Sequence, residues 1–102
     1  MDKEEIIRIA RKYYEYLKKN KFGITSAYLF GSFAKGTNTQ ESDIDIALIF
    51  HNLPDEIDMQ IELMKLRRNI DLRIEPHPFS ENELTDANPF LKEIIKTGIL
   101  IS

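Results

Sequence analysis

The chain has 102 residues, 42% of them apolar and 30% charged. It is long enough for one modest core and too short for a catalytic domain plus a separate substrate domain, so residues 1–102 are expected to form a single domain. A net charge of −3 and the absence of cysteine argue against broad binding to nucleic-acid backbone, which needs Lys and Arg to displace counterions, and against a disulfide-stapled secreted fold. No apolar run approaches the roughly 20 residues that span a bilayer, and Met1-Asp2-Lys3-Glu4-Glu5 is too acidic for a signal peptide, so a cytoplasmic protein with no membrane segment is expected.

From Asp2 to about Asn20, Ile6, Ile9, Ala10, Tyr13, Tyr16 and Leu17 recur at helical spacing, with Asp2 as the cap. Residues 1–21 carry seven Lys or Arg against four acids, which reads as a solvated helix face. Lys21-Phe22-Gly23-Ile24 connects, with Gly23 as the helix stop, to a buried strand over 26–30. Gly31-Ser32-Phe33-Ala34-Lys35-Gly36 opens a short helical turn, residues 37–42 form a polar loop, and a second strand covers 43–50.

The segment Asp55–Arg68 carries Ile57, Ile61 and Met64 and also Met59, Leu63 and Leu66, consistent with a helix packed over a sheet, with Arg67 and Arg68 suiting its dipole. Alternation of Ile70, Leu72 and Ile74 with Asp71, Arg73 and Glu75 predicts a third strand over 70–75, ended by Pro76 and Pro78. A helix over 88–96, stopped by Gly98, and an edge strand at 99–101 close the chain. The fold class is therefore α/β or α+β, a small mixed sheet with helices covering one face.

Function concentrates at two places. At the end of the first strand, Gly31 and Ser32 stand where backbone N–H groups can face an anion. Gly31 and Gly36 let backbone approach a nucleotide closely, and Ser32 is placed to hydrogen-bond a terminal phosphate. Strand alternation puts Asp43 and Asp45 on one face, where they can share a divalent cation. If the third strand lies beside the second, Asp71 joins them. Three carboxylates next to a phosphate cradle suit displacement at phosphorus with two Mg²⁺ ions. In that scheme Asp43 and Asp45 bridge metals and triphosphate, while Asp71 binds the second metal and helps deprotonate a hydroxyl.

The ordered set Gly31, Ser32, Gly36, Ser42, Asp43, Asp45 and Asp71 resembles the motif of the minimal nucleotidyltransferases, MNT proteins of the DNA polymerase β-like superfamily, over about residues 25–75. The resemblance implies a polymerase β palm-like fold and transfer of AMP from ATP to a hydroxyl with release of pyrophosphate. It also implies a small helical HEPN toxin as partner, silenced by AMP added to a tyrosine. Lys35 stands where many relatives have Arg, and it offers phosphate a charge without bidentate geometry.

Other polar residues read more plainly. Ser42 orients the loop presenting Asp43, Arg73 pairs with Glu75 or a helix acid, and Tyr13, Tyr14 and Tyr16 serve core and helix surface. His51 and His77 are too isolated for a metal cluster or a general base, and are assigned structural roles. Two other functions compete with adenylyl transfer to a partner: a non-catalytic nucleotide-binding module that neutralises a partner by occlusion, and transfer to a small molecule. A homo-oligomer is left open.

Overall fold

The computed structural model describes residues 2–20, 23–39, 41–84 and 88–102. Lys21 and Phe22 of the predicted connection and Gln40 of the predicted loop lie outside them. The first helix, α1 (Lys3–Lys19), is capped by Asp2, whose carboxylate accepts the Glu5 N–H at 2.8 Å. Its stop is Asn20, whose side chain donates to the Tyr16 carbonyl. Gly23 instead takes a positive φ at the entrance to β1 (Ile24–Phe30).

A single turn, α2 (Ser32–Lys35), and the polar loop lead to β2 (Ile44–Phe50). Helix α3 (Glu56–Leu66), capped by Asp55, runs into a 3-10 turn at Arg67–Asn69. Strand β3 (Ile74–Ser80), a 3-10 turn at Glu81–Leu84, α4 (Pro89–Thr97) with its cap Asn88, and β4 (Ile99–Leu100) follow. The sheet order is β3-β2-β1-β4. Strand β1 pairs antiparallel with β2 and β4, while β2 and β3 are parallel, joined by the long crossover that parallel strands require. Among the described residues no helix is long and apolar enough to cross a membrane.

The third strand departs from its predicted span. Residues 70–73 are turn, and the strand begins at Ile74 and continues through both prolines. Strand β3 is an edge, and Pro76 and Pro78 are two apart, so their missing N–H groups both fall on the side away from β2. That free side is covered in turn by residues of the crossover. Gln60 donates to the Pro76 carbonyl at 2.7 Å and Arg67 to the Ile74 carbonyl at 2.9 Å. A covered edge offers no template for another strand.

Helices cover both faces of the sheet, where sequence periodicity suggested one. Ala27, Leu29, Ile44, Ile46, Leu48, Phe50 and Ile74 point to the larger core, with Ile6, Ala10, Tyr13 and Leu17 of α1 and Leu63 of α3. Each such fully buried large side chain contributes about 1.5–3 kcal/mol. The Tyr13 hydroxyl ties α1 to α3 by donating to the Leu63 carbonyl at 2.8 Å. Of the two apolar sets on α3, Met59, Leu63 and Leu66 pack, whereas Ile57 and Ile61 face solvent. On the opposite face α4 lays Leu91 and Ile94 over Ala47, Ile49 and Phe79. Strand β2 is thus apolar on both sides beyond Asp45, as a central strand must be. Helix α4 packs on Ala47 and Ile49, while the next residue along that face is Asp45.

Candidate active site

Three strand positions build the site at the end of this second face. Asp45 of β2 lies between Phe30 of β1 and Glu75 of β3, its register partners on either side. His77, two residues beyond Glu75 and on the same face, turns back to Asp45, its Nε2 3.2 Å from Asp45 Oδ1. Donor atoms of Asp45, Glu75 and His77 all lie within 4.8 Å of one another.

Asp43, exposed in the loop just before β2, stands outside that group of three but near enough to Glu75 to influence its ionisation. Glu75 is held above its ordinary pKa, first by burial and then by the Asp43 hydrogen bond and the charge of Asp45, with His77 opposing. The neighbouring carboxylates add to the effect of burial, and a divalent cation held there would offset their charge. Two carboxylates and an imidazole, with the Asp43 carboxylate nearby, fit such an ion.

The turn after β1 is shaped around Asp45. Gly31 has φ +77° and ψ −151°, a region open essentially to glycine alone. A Cβ there would run into the Asp45 carboxylate, with Cγ at 3.2 Å and Oδ2 nearer still. Gly31 thus lets the start of α2 abut the site. Ser32, half-buried, begins that turn, and its first N–H groups are those a helix leaves without an internal acceptor. Gly36 ends the turn in the left-handed conformation at φ +76°, with open space where a Cβ would go. Its glycine is required there by backbone conformation. Lys35 is exposed beside it. Ser42 closes the loop: its Oγ accepts the Thr39 N–H at 2.8 Å, and its own N–H donates to the Thr39 carbonyl.

Asp71 does not join the other two aspartates as predicted. It sits in the turn before β3, where its carboxylate accepts the Arg73 backbone N–H at 2.9 Å, Nε at 3.0 Å and Nη2 at 2.7 Å. These bonds hold its pKa below the usual carboxylate range. The physical reason is the strand shift: with the ladder beginning at Ile74, the residue opposite Asp45 is Glu75, and Arg73 pairs with Asp71 rather than with Glu75. His77 also departs from its structural assignment, since it stands inside the carboxylate cluster. A signal for both was present in Glu75-Pro76-His77-Pro78-Phe79. Its odd residues form one polar-to-apolar face, and only the prolines disguised it as a strand end.

Aromatic rings border the cluster. Phe30 meets His77 edge-on at 5.0 Å between centroids, and Phe90 at the start of α4 meets Phe30 at 5.8 Å and Phe79 at 6.1 Å. Phe90 remains 53% exposed.

A mixed four-stranded sheet with helices on both faces, carrying carboxylates on adjacent strands beside a glycine turn, defines the polymerase β-like class of α+β folds. The family described as "Polymerase beta, Nucleotidyltransferase" matches residues 11–102, and the chain belongs to it as one of the minimal nucleotidyltransferases. A protein of Methanocaldococcus jannaschii provisionally named protein adenylyltransferase MJ1379 is 33% identical over 99 residues, covering 94% of this chain and 93% of that one. The crystal structure of a provisionally assigned nucleotidyltransferase from Sulfolobus solfataricus superposes with a TM-score of 0.69 at 21% identity, over 96% of this chain and 80% of the other. That likeness speaks to the fold. A crystal structure described as a toxin-antitoxin with AMP-PNP contains a chain that is 27% identical, with a TM-score of 0.61, over all of this chain and 73% of its own length.

Proposed function

We propose that this nucleotidyltransferase moves AMP from ATP to a hydroxyl of a partner protein in the cytoplasm, and that the partner is a small helical toxin of HEPN type whose tyrosine accepts the group. The single observation that carries the chemistry is the convergence of Asp45, Glu75 and His77 beside the Gly31 turn, with Asp43 two residues before Asp45. The names of the relatives support the rest: one is named for protein adenylylation, and another was crystallised as a toxin–antitoxin with an ATP analogue.

In this reading Asp43, Asp45 and Glu75 would hold two divalent cations. Glu75 replaces Asp71 as the third carboxylate. When bound, such ions polarise the α-phosphate and neutralise the charge of attacking and leaving oxygens. The chain's own residues do the remaining work. Ser32 and the first N–H groups of α2 orient the phosphates, with Lys35 adding charge at the open side, while Gly31 keeps the backbone clear of Asp45 and Gly36 sets the return of the turn. Ser42 fixes the approach of Asp43. The acceptor oxygen bonds to the α-phosphorus, the bond from that phosphorus to the bridging oxygen breaks, and pyrophosphate leaves. Glu75 takes the proton released by the acceptor hydroxyl.

The test is incubation with Mg²⁺ and ATP labelled at the α-phosphate, in lysate from the source organism and with the co-expressed helical partner, beside Asp45→Asn. Protease-sensitive label that appears only with the wild type, on a partner tyrosine, is the expected result. Ribonuclease-sensitive label would move the acceptor to RNA. Neutralisation of the partner by an Asp43→Ala, Asp45→Ala variant would replace catalysis with occlusion.

A further inference from the structure

We infer that His77 is a cation ligand in its own right, and that through it the site prefers a first-row transition ion such as Mn²⁺ to Mg²⁺. The inference rests on the cation-site reading above and specifies which ion that site selects.

Three observations carry it. First, the imidazole is aimed. His77 projects from β3 on the face of Asp45 and Glu75, and its Nε2 stands 3.2 Å from Asp45 Oδ1, with all three donor sets within 4.8 Å. Neighbouring ligands of one octahedral cation, each about 2.1 Å from it, lie about 3 Å apart and opposed ones about 4.2 Å. A cation therefore fits between these groups with small side-chain adjustments. Second, the ring is braced. Phe30 packs edge-on at 5.0 Å, and β3 fixes the His77 backbone opposite Ala47. Ala47 leaves room beside Asp45 where a larger neighbour would compete with the imidazole. Third, the two edge prolines flanking His77 fix the backbone on either side of it, so the ligand is positioned before the ion arrives.

The chemistry then follows from ligand type. Mg²⁺ favours oxygen donors and dehydrates reluctantly. An imidazole nitrogen among carboxylates instead shifts preference toward ions that accept nitrogen and oxygen together. His77 is in this sense a specificity-determining ligand. His51, the other histidine of the chain, follows the far end of β2 and lies beside Glu81, so nitrogen coordination at the site has one source.

The experiment uses Mn²⁺ as its probe. Its binding is titrated by loss of the free-ion electron paramagnetic resonance signal, and ¹⁴N coupling to bound Mn²⁺ is read by electron spin-echo modulation, for wild type, His77→Gln and His77→Asn. The expected result is imidazole ¹⁴N coupling in the wild type, absent from both variants, with the Mn²⁺-over-Mg²⁺ preference falling on the order of ten-fold. Mn²⁺ bound at Asp45 without ¹⁴N coupling in the wild type would overturn the inference and leave the carboxylate site standing. Binding untouched by Asp45→Asn would instead overturn the cation-site reading itself. The wild-type spectrum decides the matter even if a variant fails to fold.

Discussion

Replacing Gly31 with Ala separates what a turn needs from what a site needs. The backbone at φ +77°, ψ −151° costs a side-chain-bearing residue about 1–3 kcal/mol. At about 4–8 °C per kcal/mol for a domain of this size, melting should fall by roughly 4–24 °C. The new Cβ also enters the space of the Asp45 carboxylate, 3.2 Å from its Cγ, and Asp45 cannot yield without leaving His77. Cation affinity should therefore fall about 10–100-fold, as when the support of a ligand is lost, and AMP transfer with it. Gly36→Ala is the control. It bears a left-handed penalty of about 1–2 kcal/mol, yet its Cβ meets nothing within 4 Å, so it should melt earlier and keep its cation affinity. Melting by circular dichroism, Mn²⁺ titration and labelled-AMP transfer, all at a temperature where every variant is folded, make the comparison. Wild-type cation affinity and transfer in Gly31→Ala would refute the argument. Equal loss in Gly36→Ala would assign the effect to the turn as a whole.

Glu75→Gln should abolish transfer yet raise the melting temperature at neutral pH. A carboxyl whose folded pKa is raised supports the fold below its unfolded pKa and opposes it as pH climbs; removing a solvent-screened like charge returns about 0.2–1 kcal/mol. A lower melting temperature would contradict that sign. Asp71→Asn should retain transfer per folded molecule. Its folded pKa is depressed by Arg73, so the stability it adds is present above the unfolded value of 3.8 and lost as pH falls through the folded one; wild type should lose its advantage over the variant in acid melts below about pH 4. Tyr13→Phe removes the hydroxyl bond to the Leu63 carbonyl, which keeps the Arg67 N–H, and should cost about 1 kcal/mol. Denaturant unfolding checks this, with Mn²⁺ affinity unchanged.

The half of the site on β1 and β2 was legible because its signals are local. Gly31, directly after β1, and Gly36, at the end of α2, are demanded by their backbone conformations, and Asp45 is the one charge in a run of Ile, Ala, Leu and Phe. The half on β3 was not, because a strand's span is decided by its neighbours. Residues 70–75 alternate well, but in the fold Asp71 satisfies Arg73 in a turn, and the ladder opens at Ile74 only because β2 begins at Ile44 opposite it. Nor does local sequence show that an edge strand tolerates two prolines. That tolerance depends on Gln60 and Arg67 arriving from the crossover to occupy the carbonyls on the free side.

The same dependence explains why α3 reads ambiguously. Ile57 and Ile61 have helical spacing as good as that of Met59 and Leu63, and only the sheet beneath selects the second pair. A one-residue change in where β3 starts exchanges which side chains face Asp45. The identity of the third carboxylate is therefore a property of strand register: in this chain the β2–β3 ladder places Glu75 opposite Asp45, and His77 follows two residues later on the same face.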